Sequence, residues 1–76
     1  MNLFIIVGKV KSINDVTITV NIENKNMNVI LTQKLKNQLE NKIKIDDIVS
    51  IKGRIIPTEA YCSLEAENVT LLKKIN

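Results

Sequence analysis

Val7-Gly8-Lys9-Val10 near the start of the chain, and Ile51-Lys52-Gly53-Arg54-Ile55 two thirds along it, each set a glycine inside an apolar-alternating strand. A glycine at such a point lets the strand bend hard and keep its hydrogen bonds, because the missing Cβ removes the steric bar to strong coiling. Two bent strands with a single helical segment between them point to a small closed barrel, not a flat sheet.

Working outward from the first glycine, Leu3, Ile5 and Val7 alternate with Phe4 and Ile6, so the first strand begins apolar on both faces. Beyond Gly8 the run Lys9, Val10, Lys11 is basic outward and apolar inward. Asn14-Asp15 is a turn signal. From Val16 to Ile22 the alternation predicts Val16, Ile18, Val20 and Ile22 inward, with Thr17, Thr19 and Asn21 outward. Glu23 to Asn26 reads as a short polar connection closing a hairpin. Met27, Val29 and Leu31 then share one face of a third strand, with Asn28 and Ile30 on the other.

Thr32 can cap a helix through its hydroxyl. Leu35, Leu39 and Ile43 follow at every fourth position, with Lys34, Lys36, Asn37, Glu40 and Lys42 on the wet side. A short helix with one apolar stripe plugs something, most simply the open end of a barrel. Ile45-Asp46-Asp47 reads as a polar turn into a fourth strand, Ile48 to Ile56. There Val49, Ile51, Gly53 and Ile55 face in, while Ser50, Lys52 and Arg54 face out. Pro57 to Ala60 makes a tight connection. The last strand covers Tyr61 to Leu72, with a break expected near Glu67-Asn68. The expected fold is all-β with one short helix, a five-stranded oligonucleotide/oligosaccharide-binding (OB) barrel of order β-β-β-α-β-β, forming one domain over residues 1–76.

Composition bounds what such a barrel can do. At 45% hydrophobic residues the chain is too apolar for disorder, yet a domain of roughly 60 residues buries only about 60% of its unfolded surface. The core is therefore thin, and self-association is expected. No apolar run reaches the roughly 18 to 20 residues of a membrane helix, and Leu3 to Val7 is too short for a signal-peptide core, so a cytosolic protein is expected. Cys62 is the single cysteine and there is no histidine. That excludes an internal disulfide, a Cys/His zinc site and a thiol nucleophile with an imidazole base, leaving strand packing for Cys62. Asp46-Asp47 alternates in direction and reads as a turn. Glu65 and Glu67 supply too few ligands for a cation site. With no phosphate-cradling loop or nucleophile motif, neither catalysis nor a cofactor is expected.

The residues themselves resemble the bacterial single-stranded-DNA-binding protein family, including its primosomal replication relatives. Leu3-Phe4-Ile5-Ile6-Val7-Gly8-Lys9-Val10 is similar to the family's first strand. Val29-Ile30-Leu31, the amphipathic stretch from Lys34 to Ile45, and Val49-Ser50-Ile51-Lys52-Gly53-Arg54-Ile55 resemble its central block; Glu65 to Leu72 resembles its closing strand. The family stacks bases on several aromatic side chains, usually tryptophans. Here there is no tryptophan, only Phe4 and Tyr61, and Asn26 to Asn28 stands where one belongs. The DNA-wrapping hairpin is short, and an ending of Lys73-Lys74-Ile75-Asn76 replaces the acidic recruiting tail. The resemblance implies a reduced relative that keeps the barrel.

A net charge of +3, with a pI near 9.2, favours a polyanionic partner. With so few aromatics, binding would draw mainly on phosphate contacts, which are salt-sensitive and blind to sequence. The candidate nucleic-acid-binding residues are Lys9 and Lys11 on the first strand and Lys52 and Arg54 on the fourth. They are expected to form one basic stripe beside Thr17, Thr19 and Asn28, the alternative being ordinary solvated strand faces. Tyr61 is the stacking candidate, or else a barrel cap; Phe4 belongs to the core or a subunit contact. Ile6 and Ile30, apolar on faces that should be wet, point to a homodimer or homotetramer built through the first strand. The leading function is single-stranded DNA binding in replication, repair or recombination. A protein-interaction module with little nucleic-acid binding, and an RNA-binding domain, are the alternatives.

Overall fold

A computed structural model describes residues 2–75. Five strands and one helix follow in the expected order: β1 (Leu3–Ile13), β2 (Thr17–Ile22), β3 (Lys25–Ile30), α1 (Gln33–Leu39), β4 (Ile48–Pro57) and β5 (Cys62–Lys73). The sheet closes as β1-β2-β3-β5-β4, with β4 returning to β1. All pairs are antiparallel except β3 with β5, which meet in parallel at the single pair Ile30–Glu65.

The core is the inward set of the alternating strands. Val10, Ile18, Val20, Val29, Val49 and Ile51 are fully buried, and Leu31, Leu35, Leu39, Ile43 and Ala66 nearly so. The glycines serve close approach. A Cβ on Gly53 would overlap the Glu65 carbonyl and press on the Phe4 ring, and one on Gly8 would lie 2.8 Å from the Asn21 carbonyl. Both would have to push strands apart in a core packed like a crystal.

β5 is continuous where a break was expected. Lys52 faces Asn68 while Gly53 faces Ala66, so Glu67 is the extra residue of a bulge. The bulge re-aims the strand without ending its pairing. A second shift, between Ile48–Lys73 and Val49–Leu71, leaves Leu72 over in the same way.

Local chemistry sets the connections. Asn14 Oδ1 accepts from the backbone N–H groups of Val16 (3.0 Å) and Thr17 (2.8 Å), so the turn between β1 and β2 is an Asx turn. This pulls Val16 out of the strand; it was expected inward and is 62% exposed. Glu23 and Asn24, at φ 50 and 68, make a two-residue hairpin. The hairpin is therefore tighter than the expected span from Glu23 to Asn26, and Lys25 and Asn26 join β3. Thr32 caps α1, its hydroxyl accepting from the Leu35 N–H at 3.2 Å. The helix stops at Leu39, short of the periodic stretch, because Asn41 turns left-handed (φ 65), yet Ile43 still reaches the core.

Three further expectations are corrected. Ile6 points inward against the core together with Phe4. The outward apolar row of β1 is instead Leu3, Ile5 and Val7, with Ile5 69% exposed. Cys62 is exposed, because β5 begins beyond the packed part of the barrel, opposite Pro57. Asp47, read as a polar turn residue, is buried at 1% exposure. Its carboxylate accepts from the Lys44 N–H (2.9 Å), the Ile75 N–H (3.2 Å) and Lys74 Nζ (2.8 Å). Those bonds, the Lys74 ammonium foremost, hold its pKa below the ordinary carboxylate range against the opposing effect of desolvation.

Candidate nucleic-acid interface

β1 changes partners along its length, and that decides where its charges stand. From Leu3 to Lys9 it pairs with β4; from Lys9 to Ile13 it pairs with β2. Lys9 sits at the handover, facing Asn21 on one side and Ile48 on the other. Lys11 falls in the register shift between Val10 and Ser12, and the bulge leaves it exposed beside Thr19. Next across, Thr19 faces Asn28, and its hydroxyl donates to Asn28 Oδ1 at 2.7 Å. Asn21 faces Asn26, and its Nδ2 donates to Asn26 Oδ1 at 2.9 Å. Each bond fixes an amide orientation and leaves the Nδ2 groups of Asn26 and Asn28 as donors.

Beyond Asn28 the barrel opens. β3 and β5 splay away from their single pairing, and the gap is a groove of about 450 Å³. Asn26 to Asn28 and Ile30 line it on the β3 side, Tyr61 to Leu64 on the β5 side. Tyr61 lies in the turn between β4 and β5. Its N–H donates to the Thr58 hydroxyl (3.1 Å), and its carbonyl accepts from the Thr58 N–H (2.8 Å) and hydroxyl (2.7 Å). The backbone is held while the ring is 66% exposed. Tyr61 therefore stands at the rim of this groove and does not cap the core.

Five of the eight candidates thus share one region. Lys9, Lys11, Thr19 and Asn28 lie on the outer face of β1, β2 and β3, with Tyr61 across the groove from Asn28. Thr17 is at the edge of that face, opposite Ile30, with its hydroxyl donating to Asn14 Oδ1 at 3.1 Å. The other two basic residues are elsewhere. Lys52 faces Ile5 and Arg54 faces Leu3, four and six residues back along β1 from Lys9. Outward Ile5 and Val7 lie between, so the expected single stripe is interrupted by an apolar row. Arg54 also faces Glu65 across β5 and ion-pairs with Glu67 at 3.7 Å. Two carboxylates beside one guanidinium disfavour an incoming phosphate.

Asn21 and Asn26 share this outer face with the candidates, although alternation and residue type did not single them out. The signal was the two-residue turn at Glu23-Asn24, which puts the two asparagines opposite one another. The groove had no local signal, because it arises from the splay of strands far apart in sequence.

No protein-family model matches the chain, and no curated protein matches its sequence. Among solved structures, the barrel resembles the mitochondrial single-stranded DNA binding protein Rim1 of S. cerevisiae. Two crystal forms match with TM-scores of 0.79 and 0.80 at 14% and 15% identity, covering 99% and 97% of this chain and 97% and 96% of that one. The S. pombe Stn1–Ten1 complex matches with a TM-score of 0.73 at 15% identity, over 97% of this chain and 60% of that chain. A replication protein A heterotrimer bound to single-stranded DNA matches with a TM-score of 0.65 at 12% identity, again over 97% and 60%. At these identities the likeness establishes the fold: a five-stranded OB barrel with one helix.

Proposed function

We propose that this OB barrel is a non-enzymatic binder of single-stranded DNA, working within replication, repair or recombination as a reduced relative of the bacterial single-stranded-DNA-binding proteins. The observation that carries the reading is the junction of an exposed, backbone-anchored Tyr61, the groove between β3 and β5, and the outer face of Asn28, Thr19, Lys11 and Lys9. OB barrels take oligonucleotides on this part of their surface, across the strands two and three face and its bordering loops. The full-length likeness to a mitochondrial single-stranded DNA binding protein supports the same reading.

The balance of forces follows from the side chains. Phe4 packs against the core, so Tyr61 is the stacking residue of this surface. Stacking contributes about 1 to 3 kcal/mol per base. The remainder comes from lysines on phosphate and from amide donors, with steep salt dependence and little sequence preference.

A second reading, an assembly module, is favoured by the outward row Leu3, Ile5 and Val7. β2 reaches β1 only from Lys9 onward, so this half of β1 also has an open edge on the side away from β4. An apolar row beside an open edge invites another strand. The two readings are compatible, because this row and the Tyr61 groove occupy different parts of the barrel.

Fluorescence anisotropy with labelled oligothymidylate, duplex DNA and RNA of equal length, each at two salt concentrations, separates the readings. The proposal expects preference for the single DNA strand and marked weakening at the higher salt. Absence of binding at low salt would contradict it and leave the assembly reading.

A further inference from the structure

We propose that the bound strand leaves the Tyr61 groove along a row of outward residues drawn from all five strands, and that Lys73 at its far end is a phosphate contact. This rests on the single-strand-binding reading above and adds to it a path and a residue.

The registers carry the inference. Asn26 faces Asn21, Asn21 faces Lys9, Lys9 faces Ile48, and Ile48 faces Lys73. Residues directly opposite on neighbouring strands put their side chains on the same face. With strands about 4.8 Å apart, four steps make a path of about 19 Å, with Lys9 at its middle. The row starts at the groove, since Asn26 lines it. It winds with the closed sheet, and a flexible single strand can follow that curve where a stiff duplex cannot.

Lys73 joins this row only because of the bulge at Leu72. Val49 faces Leu71, so regular pairing would set Leu72 opposite Ile48 and turn Lys73 away. The neighbouring Lys74 is bound to buried Asp47 at 2.8 Å, which anchors the end of β5 and neutralises that ammonium. Lys73 and Lys9 are exposed, and among the described residues neither makes an ion pair. Arg54 is the contrast, a cation already matched by Glu67.

The test is the salt dependence of oligothymidylate binding by the native chain and by Lys9→Gln, Lys73→Gln, Lys73→Arg and Lys52→Gln. Loss of one phosphate contact on a single strand lowers the slope of log affinity against log salt by about 0.7. Lys9→Gln and Lys73→Gln should each flatten the slope by that amount. Lys73→Arg and Lys52→Gln should keep the native slope. All four substitutions replace exposed side chains, and thermal melts check that the barrel is intact. A native slope in Lys73→Gln, with the native chain binding normally, overturns the path and leaves the single-strand reading in place. A native chain that ignores oligothymidylate at low salt overturns both.

Discussion

Tyr61 combines a fixed backbone with an uncovered ring, the arrangement a stacking platform needs. Thr58 holds it through three hydrogen bonds, so its position does not depend on ring packing. Tyr61→Ala should therefore leave the melting temperature near native while weakening oligothymidylate binding about 5- to 150-fold, the equivalent of about 1 to 3 kcal/mol from one stacked base. Unchanged affinity in that variant would take Tyr61 out of the interface. Residue types made Tyr61 a candidate from sequence, because aromatics are so scarce here. They did not reveal that Cys62 beside it is exposed, since burial of a small side chain depends on which strand lies over it.

At the level of strands and turns, alternation and capping were legible and irregularity was not. The inward sets of β2, β3 and β4, and the Thr32 cap, follow directly from period and chemistry. Val16 escaped because it sits in a turn, and the bulges at Lys11 and Leu72 left no trace in the alternation, since one extra residue reverses the face of its neighbours; at Glu67 an irregularity was expected, but as a break and not as a bulge. Asp47 escaped for a related reason: its partners Lys74 and Ile75 lie 27 and 28 positions away. Its depressed pKa makes it a source of acid sensitivity. The stabilisation is complete above the unfolded-state value, about 3.9, and is lost as pH falls through the lower folded-state value. Asp47→Asn should be less stable than the native chain at neutral pH and lose less between pH 5 and pH 2, read from urea midpoints across that range. Parallel pH profiles for the two proteins would show that the clamp contributes nothing.

For the molecule as a whole, the barrel order was readable because two glycines, one helix and five alternating segments admit few closed arrangements. The distribution of charge was not. The partner change of β1 at Lys9 separates Lys9 and Lys11 from Lys52 and Arg54, and only the closed topology shows it. The same geometry isolates Leu3, Ile5 and Val7 as an outward apolar row, the one that the proposed assembly reading assigns to self-association. Sedimentation equilibrium should find the native chain associated and Ile5→Glu shifted towards monomer, because a buried unpaired carboxylate opposes assembly. A native monomer at high concentration would remove that role from the row.

An amide-resolved NMR titration with oligothymidylate examines the interface in a single experiment. Perturbations concentrated at Lys9, Lys11, Thr19, Asn26, Asn28 and Tyr61, with Leu3 to Val7 unaffected at constant oligomeric state, are the expected result. Unperturbed spectra at saturating oligonucleotide, or shifts confined to β4 and the Leu3–Val7 row, would contradict the assignment of this face to single-stranded DNA.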